Sequence, residues 1–273
     1  MNDRQDAATV AAQHERARQQ FGAVAEKYAT SAVHAEGLSL QLMVEMARPK
    51  PADRVLDVGT GAGHTAFAFA PHVASVVASD ITEEMLDQVR RGVAQRGLAN
   101  VTAFGPAPAE NLPFPDVSFE LVLSRTAAHH FADPQAFVRS AFRVTAPGGA
   151  LAFCDTISPD DDPATDAWLD EIERVRDPSH VRDWSTREWR EMAEAAGYAV
   201  EAEDPSSDRA WLTLDDWTGR MNVPPHRYAR LRELFATASD AARSWIVLEP
   251  RPAPQVYAFG LPKLIAVYRK PRG

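Results

Sequence analysis

Apolar and polar positions come in alternating blocks along this chain. Short apolar runs recur near 54-58, 75-79, 100-104, 119-123 and 149-155, and each reads as a buried strand. Between them, near 63-70, 82-96 and 134-145, lie stretches whose pattern is helical. Thr82 followed by Glu83 and Glu84 supplies one helix start, a cap with acids in the first turn. Strand and helix in regular alternation predict an α/β fold, a doubly wound, mostly parallel sheet with helices on both faces.

Both flanks add helices. Residues 8 to 47 read as two helices meeting around Thr30 and Ser31, with Phe21, Val24 and Tyr28, then Leu38, Leu42, Met43 and Met46, at helical spacings. Beyond the fifth strand the helical pattern covers Ala164 to Val175, Thr186 to Ala196 and Leu214 to Ala242, the last interrupted at Pro224 and Pro225. Two further strands fall at 198-204 and 261-269. The stretches near 158-184 and 206-258 therefore read as helical insertions.

Composition narrows the class. With 273 residues, 45% hydrophobic and 25% charged, the chain is long enough to bury a sizeable core. The formal charge of -9 argues against a nucleic-acid partner, which wants a basic face, and favours a small-molecule one. No uncharged span is free of glycine and proline for long enough to enter a membrane. The polar start, Met1 to Asp6, is followed by no apolar leader, and the single cysteine, Cys154, sits in an apolar run as core filler. A cytoplasmic location is the expectation.

The chemistry gathers on Val55-Leu-Asp-Val-Gly-Thr-Gly-Ala-Gly63, where a strand runs into a glycine turn and then a helix. Gly59 and Gly61 let a ligand approach the backbone, and Thr60 stands between them. A dinucleotide would set its pyrophosphate here, but Asp57 would repel it, and the third glycine of the dinucleotide fingerprint falls at His64. A phosphate-free cofactor with a cationic end fits better. S-adenosylmethionine meets that description. Asp80 ends the next apolar run about 20 residues on, where such folds place the acid that grips ribose hydroxyls.

On these residues, with Ala109-Glu-Asn-Leu-Pro-Phe114, Ser118-Phe-Glu-Leu-Val122 and Leu151-Ala-Phe-Cys-Asp155, the chain resembles the class I S-adenosylmethionine-dependent methyltransferases. It is most similar to the branch grouped with the ubiquinone/menaquinone C-methyltransferases, and shares Arg125-Thr-Ala-Ala-His-His-Phe131 and Arg176-Asp-Pro-Ser-His-Val-Arg182 with uncharacterised bacterial members. The resemblance implies a Rossmann-like sheet with an antiparallel edge, a methyltransferase domain over 49-273 and an N-terminal helical cap over 1-48. It implies that Tyr28 and His34 of the cap close over the cofactor, that Ile81 and Met85 lie beside the nucleoside, and that the Ala109 backbone meets adenine. One position departs from the pattern. Pro108 stands where the family carries the acid that meets the adenine amino group.

The acceptor side is read from loops at the carboxyl ends of strands. Arg125 either orients an anionic acceptor or pairs with Asp57 or Asp155. His129 or His130 is the candidate general base, against the plainer reading of structural histidines; one should face inward and the other pack. No ligand cluster of metal-binding spacing accompanies them, so no metal is expected. The segment from Asp177 to Arg182 is either an interhelix turn or a lid bringing His180 or Arg182 to the acceptor. Trp211, Trp217 and Trp245 line a planar pocket, pack as core or form a homodimer surface. The function expected is methyl transfer from S-adenosylmethionine to a small hydrophobic or aromatic acceptor. The alternative is a binder of that cofactor that has lost transfer or promotes another reaction.

Overall fold

β1 (Arg54–Val58) is buried on both faces from Val55 onward in the computed structural model, which describes residues 2–29, 37–252 and 256–273. A strand walled in on both sides has no polar face, which is why it reads as one apolar run. β2 (Ser75–Ser79), β3 (Val101–Phe104), β4 (Phe119–Arg125) and β5 (Thr145–Thr156) join it in the order β3-β2-β1-β4-β5, all parallel. After β6 (Ala199–Asp204) come β7 (Arg209–Thr213), β8 (Glu249–Pro250) and β9 (Tyr257–Arg269). β9 runs antiparallel between β5 and β6, and its first residues pair instead with β7 and β8. The order reverses at β1 and β4, and the carboxyl ends of these two strands open the crevice where such sheets bind ligands.

β7 and β8 correct the purely helical reading of 206-258. Neither carries a strand signal, because β8 has two exposed residues and β7 buries only Leu212 while Trp211 is 56% exposed. The break expected around Thr30 and Ser31 lies outside the described residues, and a further one precedes it. α1 (Asn2–Gly22) and α2 (Ala25–Ala29) meet at Ala23 and Val24, ahead of Thr30. α3 (Leu38–Ala47) buries Met43 and Ala47 with Val55, Val76 and Leu123 on one face of the sheet.

α4 (His64–Phe69), α5 (Glu83–Arg96) and α6 (Pro134–Val144) follow β1, β2 and β4. α6 shows why the chain turns where it does: Asp133 accepts from the Ala136 N–H, Pro134 opens the first turn, and Phe137, Val138, Ala141 and Val144 face the core. Thr82 sits at the cap position of α5, but its hydroxyl accepts none of the free helix N–H groups. α7 (Pro163–Arg176) and α8 (Thr186–Ala196) match their sequence spans closely. α9 (Leu214–Arg220), α10 (Pro225–Ala236) and α11 (Asp240–Trp245) enclose a separate core in which Trp217, Phe235 and Phe259 meet Leu169 and Ile172 of α7.

Candidate active site

Gly59 and Gly61 both hold left-handed backbone, at φ 65 and 55. A Cβ on Gly59 would come within 2.7 Å of the Ala127 Cβ, so the turn is pressed against the loop after β4. At Gly61 a Cβ would meet nothing within 4 Å, because this glycine faces an open cleft. The same cleft is lined by Thr60, Asp80, Ile81, Met85 and Ala109, all five expected at the cofactor.

Two buried acids hold the turn in shape. Asp80 accepts the Gly61 N–H on Oδ2 at 2.8 Å and the Thr82 N–H on Oδ1 at 2.9 Å, joining the turn after β1 to the end of β2. Asp57 lies behind the turn, where the reading from sequence had it facing the ligand. Its Oδ2 accepts from Thr60 Oγ1 at 2.6 Å and from the Ala66 N–H at 3.1 Å, tying β1 to α4. Burial pushes Asp57 up to about 7, against the Thr60 hydrogen bond and the Arg125 charge, and burial raises Asp80 as well.

These features decide what the cleft can hold. Asp57 Oδ1 is buried with no hydrogen-bond partner, an unspent acceptor close behind the glycines. The acid behind the turn favours a group arriving with positive charge over an anion. A pyrophosphate would meet the Asp80 carboxylate at the cleft wall, with Asp57 behind the turn. The donor set fits a cationic, phosphate-free nucleoside.

α1 forms the opposite wall. His14, Ala17 and Phe21 line the cleft. Gln13 donates through Nε2 to the His130 carbonyl at 3.0 Å and the Ser179 carbonyl at 2.5 Å. His14 donates from Nε2 to Glu110 Oε2 at 3.0 Å, and Glu110 Oε1 accepts the Ala132 N–H at 2.8 Å. Burial opposes ionisation of Glu110, but the His14 bond and charge, together with the backbone N–H donors of Glu110 and Ala132, outweigh it and hold the carboxyl below its ordinary range. Neither Gln13 nor Glu110 stands out in the sequence. The expected cap residue His34 lies outside the described residues, as does the side chain of Tyr28.

Next to the cleft is a second chamber. Phe21, Arg125, Thr126 and His130 border both spaces, so the two meet at the carboxyl end of β4. Thr126 takes a left-handed φ of 52 there, an uncommon backbone for a β-branched residue, held by its N–H bond to the Cys154 carbonyl at 2.7 Å. Arg125 is buried and donates through Nε to Thr65 Oγ1 and through Nη1 to Ser39 Oγ. The far wall of the chamber comes from α7, β7, α9 and β9, including Arg176, Leu212, Trp217 and Lys263.

The adjacent histidines take different roles. His129 lines only the chamber; its Nδ1 donates to Asp155 Oδ1 at 2.6 Å and its backbone N–H to Oδ2 at 3.1 Å. Burial alone would lower its pKa, but the Asp155 carboxylate outweighs burial and raises it to about 9. His130 borders both spaces and donates from Nδ1 to the Ser179 carbonyl at 3.1 Å. Burial and the charge of His129 lower it to about 4. At neutral pH the pair is therefore one imidazolium and one neutral ring.

The segment from Asp177 to Arg182 packs as a clasp. Asp177 Oδ1 accepts the N–H and hydroxyl of Ser179, and the Val181 N–H bonds the His129 carbonyl at 2.8 Å. Arg182 points away, to Asp166 and Glu188, and His180 is buried beside His129 with ring centroids 5.6 Å apart. Among the described residues no group of three His, Cys, Asp or Glu side chains is placed to hold a metal ion.

A methyltransferase domain model matches residues 56–153, from β1 to β5. The uncharacterized methyltransferase YcgJ of Bacillus subtilis is 39% identical over 82% of this chain and 87% of its own length. The chain belongs to the S-adenosylmethionine-dependent methyltransferases. Within that family, the crystal structure of YcgJ superposes with a TM-score of 0.80 at 34% identity, covering 86% of this chain and 99% of that one. The ubiquinone/menaquinone biosynthesis C-methyltransferase UbiE of Shewanella frigidimarina is 33% identical over 42% of this chain and 47% of its own. The 27-O-demethylrifamycin SV methyltransferase of Amycolatopsis mediterranei is 30% identical over 72% of this chain and 70% of its own. S-adenosylmethionine is accordingly the cofactor, and the acidic, glycine-backed cleft fits it. No helix among the described residues is long and apolar enough to cross a membrane.

Proposed function

We propose that this methyltransferase transfers the methyl group of S-adenosylmethionine to a small molecule with an apolar, ring-sized body, held in the chamber beside the cofactor cleft. The observation that carries the reading is the shared border, where Thr126 and His130 face both spaces. Methyl transfer needs an acceptor atom in line with the departing methyl, and two cavities meeting at a narrow junction supply that alignment. Phe21, Leu212, Trp217 and Leu261 suit an apolar body.

The bound cofactor supplies an electrophilic methyl on a sulfonium. This chain would supply the rest. Asp80 and the Ala109 backbone would hold the nucleoside, and Asp57 would favour the cationic end through the turn it supports. His130, neutral and at the junction, is the residue to accept a proton from the acceptor, and α1 would exclude water.

Incubating the protein with methyl-labelled S-adenosylmethionine and a low-molecular-mass cell extract tests this. Label moving to an extractable small molecule, with loss of that transfer in His130→Gln, is the expected result. Binding of S-adenosylmethionine and S-adenosylhomocysteine with no transfer to any fraction would instead favour a protein that binds the cofactor without methylating.

A further inference from the structure

The chamber that carries these apolar residues is also lined by His129, Arg176 and Lys263, and by the buried acid Glu173, whose Oε2 lies 3.5 Å from Arg176 Nη1. His129 reaches the chamber with its ring turned in one way only: Nδ1 is taken by Asp155, which leaves Nε2 as the ring atom open to it. Asp155 also accepts the backbone N–H groups of His129 and Thr156, so neither the ring nor its carboxylate can turn without breaking several bonds. Lys263 and Arg176 border the same space. Both are fixed from behind, Lys263 by Asp208 at 2.9 Å and Arg176 by the Trp217 carbonyl at 3.1 Å, with its guanidinium 4.9 Å from the Trp217 ring centre.

We propose that His129, positioned by Asp155, binds a carboxylate on the acceptor, so that the substrate class is an aryl or otherwise ring-sized carboxylic acid. This rests on the reading of the chamber as the acceptor site. A carboxylate offers two oxygens to the donors His129 and Lys263, stays ionised at neutral pH, and leaves its apolar body against Leu212, Trp217 and Leu261. The sulfonium of the bound cofactor would add a further favourable charge.

The groups around the His129 ring set its charge. Asp155 from β5, Glu173 from α7 and Asp183 from the loop before α8 favour the imidazolium, while His130 and His180 beside it are held neutral. Carboxylate binding should therefore persist through neutral pH and fade in alkaline solution.

The test is isothermal titration of the full chain with 2-naphthoate and with 2-naphthamide, each with and without S-adenosylhomocysteine. Naphthoate is expected to bind about tenfold or more tighter than the amide, and His129→Gln should remove most of that preference. In the native chain the preference should fade as pH rises from about 7 to about 10, and Asp155→Asn should move that fade to lower pH. Equal affinity of the two probes, binding of neither, or a preference kept intact in a folded His129→Gln variant overturns the proposal. If that variant fails to melt cooperatively, the native pH series decides, and a preference unchanged up to about pH 10 overturns it. Failure of S-adenosylhomocysteine to bind while the probe preference persists would strike the methyl-transfer reading and leave this one standing.

Discussion

His129 Nδ1 stands 2.6 Å from Asp155 Oδ1, and the other oxygen of that carboxylate holds the backbone N–H of the same histidine. One buried acid thus fixes both the ring and the main chain of the turn at the active-site junction. The neighbouring His130 has no such acid at hydrogen-bond distance; the nearest, Asp177 Oδ2, is 3.8 Å from Nε2. That difference drives the two pKa values in opposite directions, the pattern that separates roles in paired titratable groups.

The pair makes stability depend on pH in a stated direction. His129 has its folded pKa raised from 6.5 to about 9, so its stabilisation is fully present below pH 6.5 and is lost as pH rises through about 9. The full contribution is on the order of 3 kcal/mol. Asp57 and Glu173, both raised by burial to about 7, have completed their own loss before the alkaline half of this window. Urea unfolding between about pH 7.5 and 9.5 should show the native chain weakening, while Asp155→Asn, less stable throughout, falls less, keeping only the smaller loss from Cys154, whose thiol burial raises to about 11. A native profile as flat as that of the variant would refute the pairing.

The two glycines of the turn should fail differently when a methyl group is added. Gly59→Ala combines left-handed strain with a clash against Ala127 and should cost about 2 kcal/mol or more of stability. Gly61→Ala meets open space and should cost only about 1 kcal/mol, yet it puts a methyl into the cleft. Thermal melts with titration of S-adenosylhomocysteine separate the effects: Gly59→Ala melts far lower, whereas Gly61→Ala melts near the native value and binds about tenfold or more weakly.

Asp80→Asn probes the acid that joins the turn to β2. The amide can accept on one side only, so the Gly61 N–H or the Thr82 N–H faces an NH₂ group. Leaving such a donor unpaired costs about 1–3 kcal/mol, and the ribose contact proposed for Asp80 would be lost with it. Titration should show S-adenosylhomocysteine binding weakened by about tenfold to a hundredfold. Unchanged affinity would remove Asp80 from the cofactor site.

The sheet was legible because its central strands are buried on both faces and interrupted by breakers, and β1, β2, α5 and α8 fall within a residue or so of their expected limits. The cleft proposed for the cofactor was legible for a related reason. Gly59, Gly61 and Asp80 lie at strand ends, where local sequence sets backbone and side-chain direction together. The chamber proposed for the acceptor depends on contacts between distant segments. His129 and Asp155 are 26 residues apart, and Gln13 reaches Ser179 across 166. Glu110 carries no local sign that it is buried, since its partners His14 and Ala132 come from other elements. β7 stayed hidden because it is short and buries a single residue.

Gln13 supplies the last test, because it is nearly inaccessible and polar on a helix whose one other buried position among the described residues is Ala17. Its amide donates to two carbonyls, one on the histidine turn and one on the Asp177–Arg182 clasp, and so fastens α1 to both walls of the site. Gln13→Ala removes these two hydrogen bonds, of about 0.5–1.5 kcal/mol each, together with the two that its Oε1 accepts from Arg16, and leaves the Ser179 carbonyl in a buried setting with the His130 ring as its remaining donor. The fold should survive, since the sheet and its two flanking cores are untouched. What changes is how long α1 stays closed. Stopped-flow displacement of S-adenosylhomocysteine should show dissociation about tenfold faster, with the association rate equal or higher, because closure slows exit more than entry. A slower association rate with unchanged dissociation would mean that α1 helps to form the site and does not gate it.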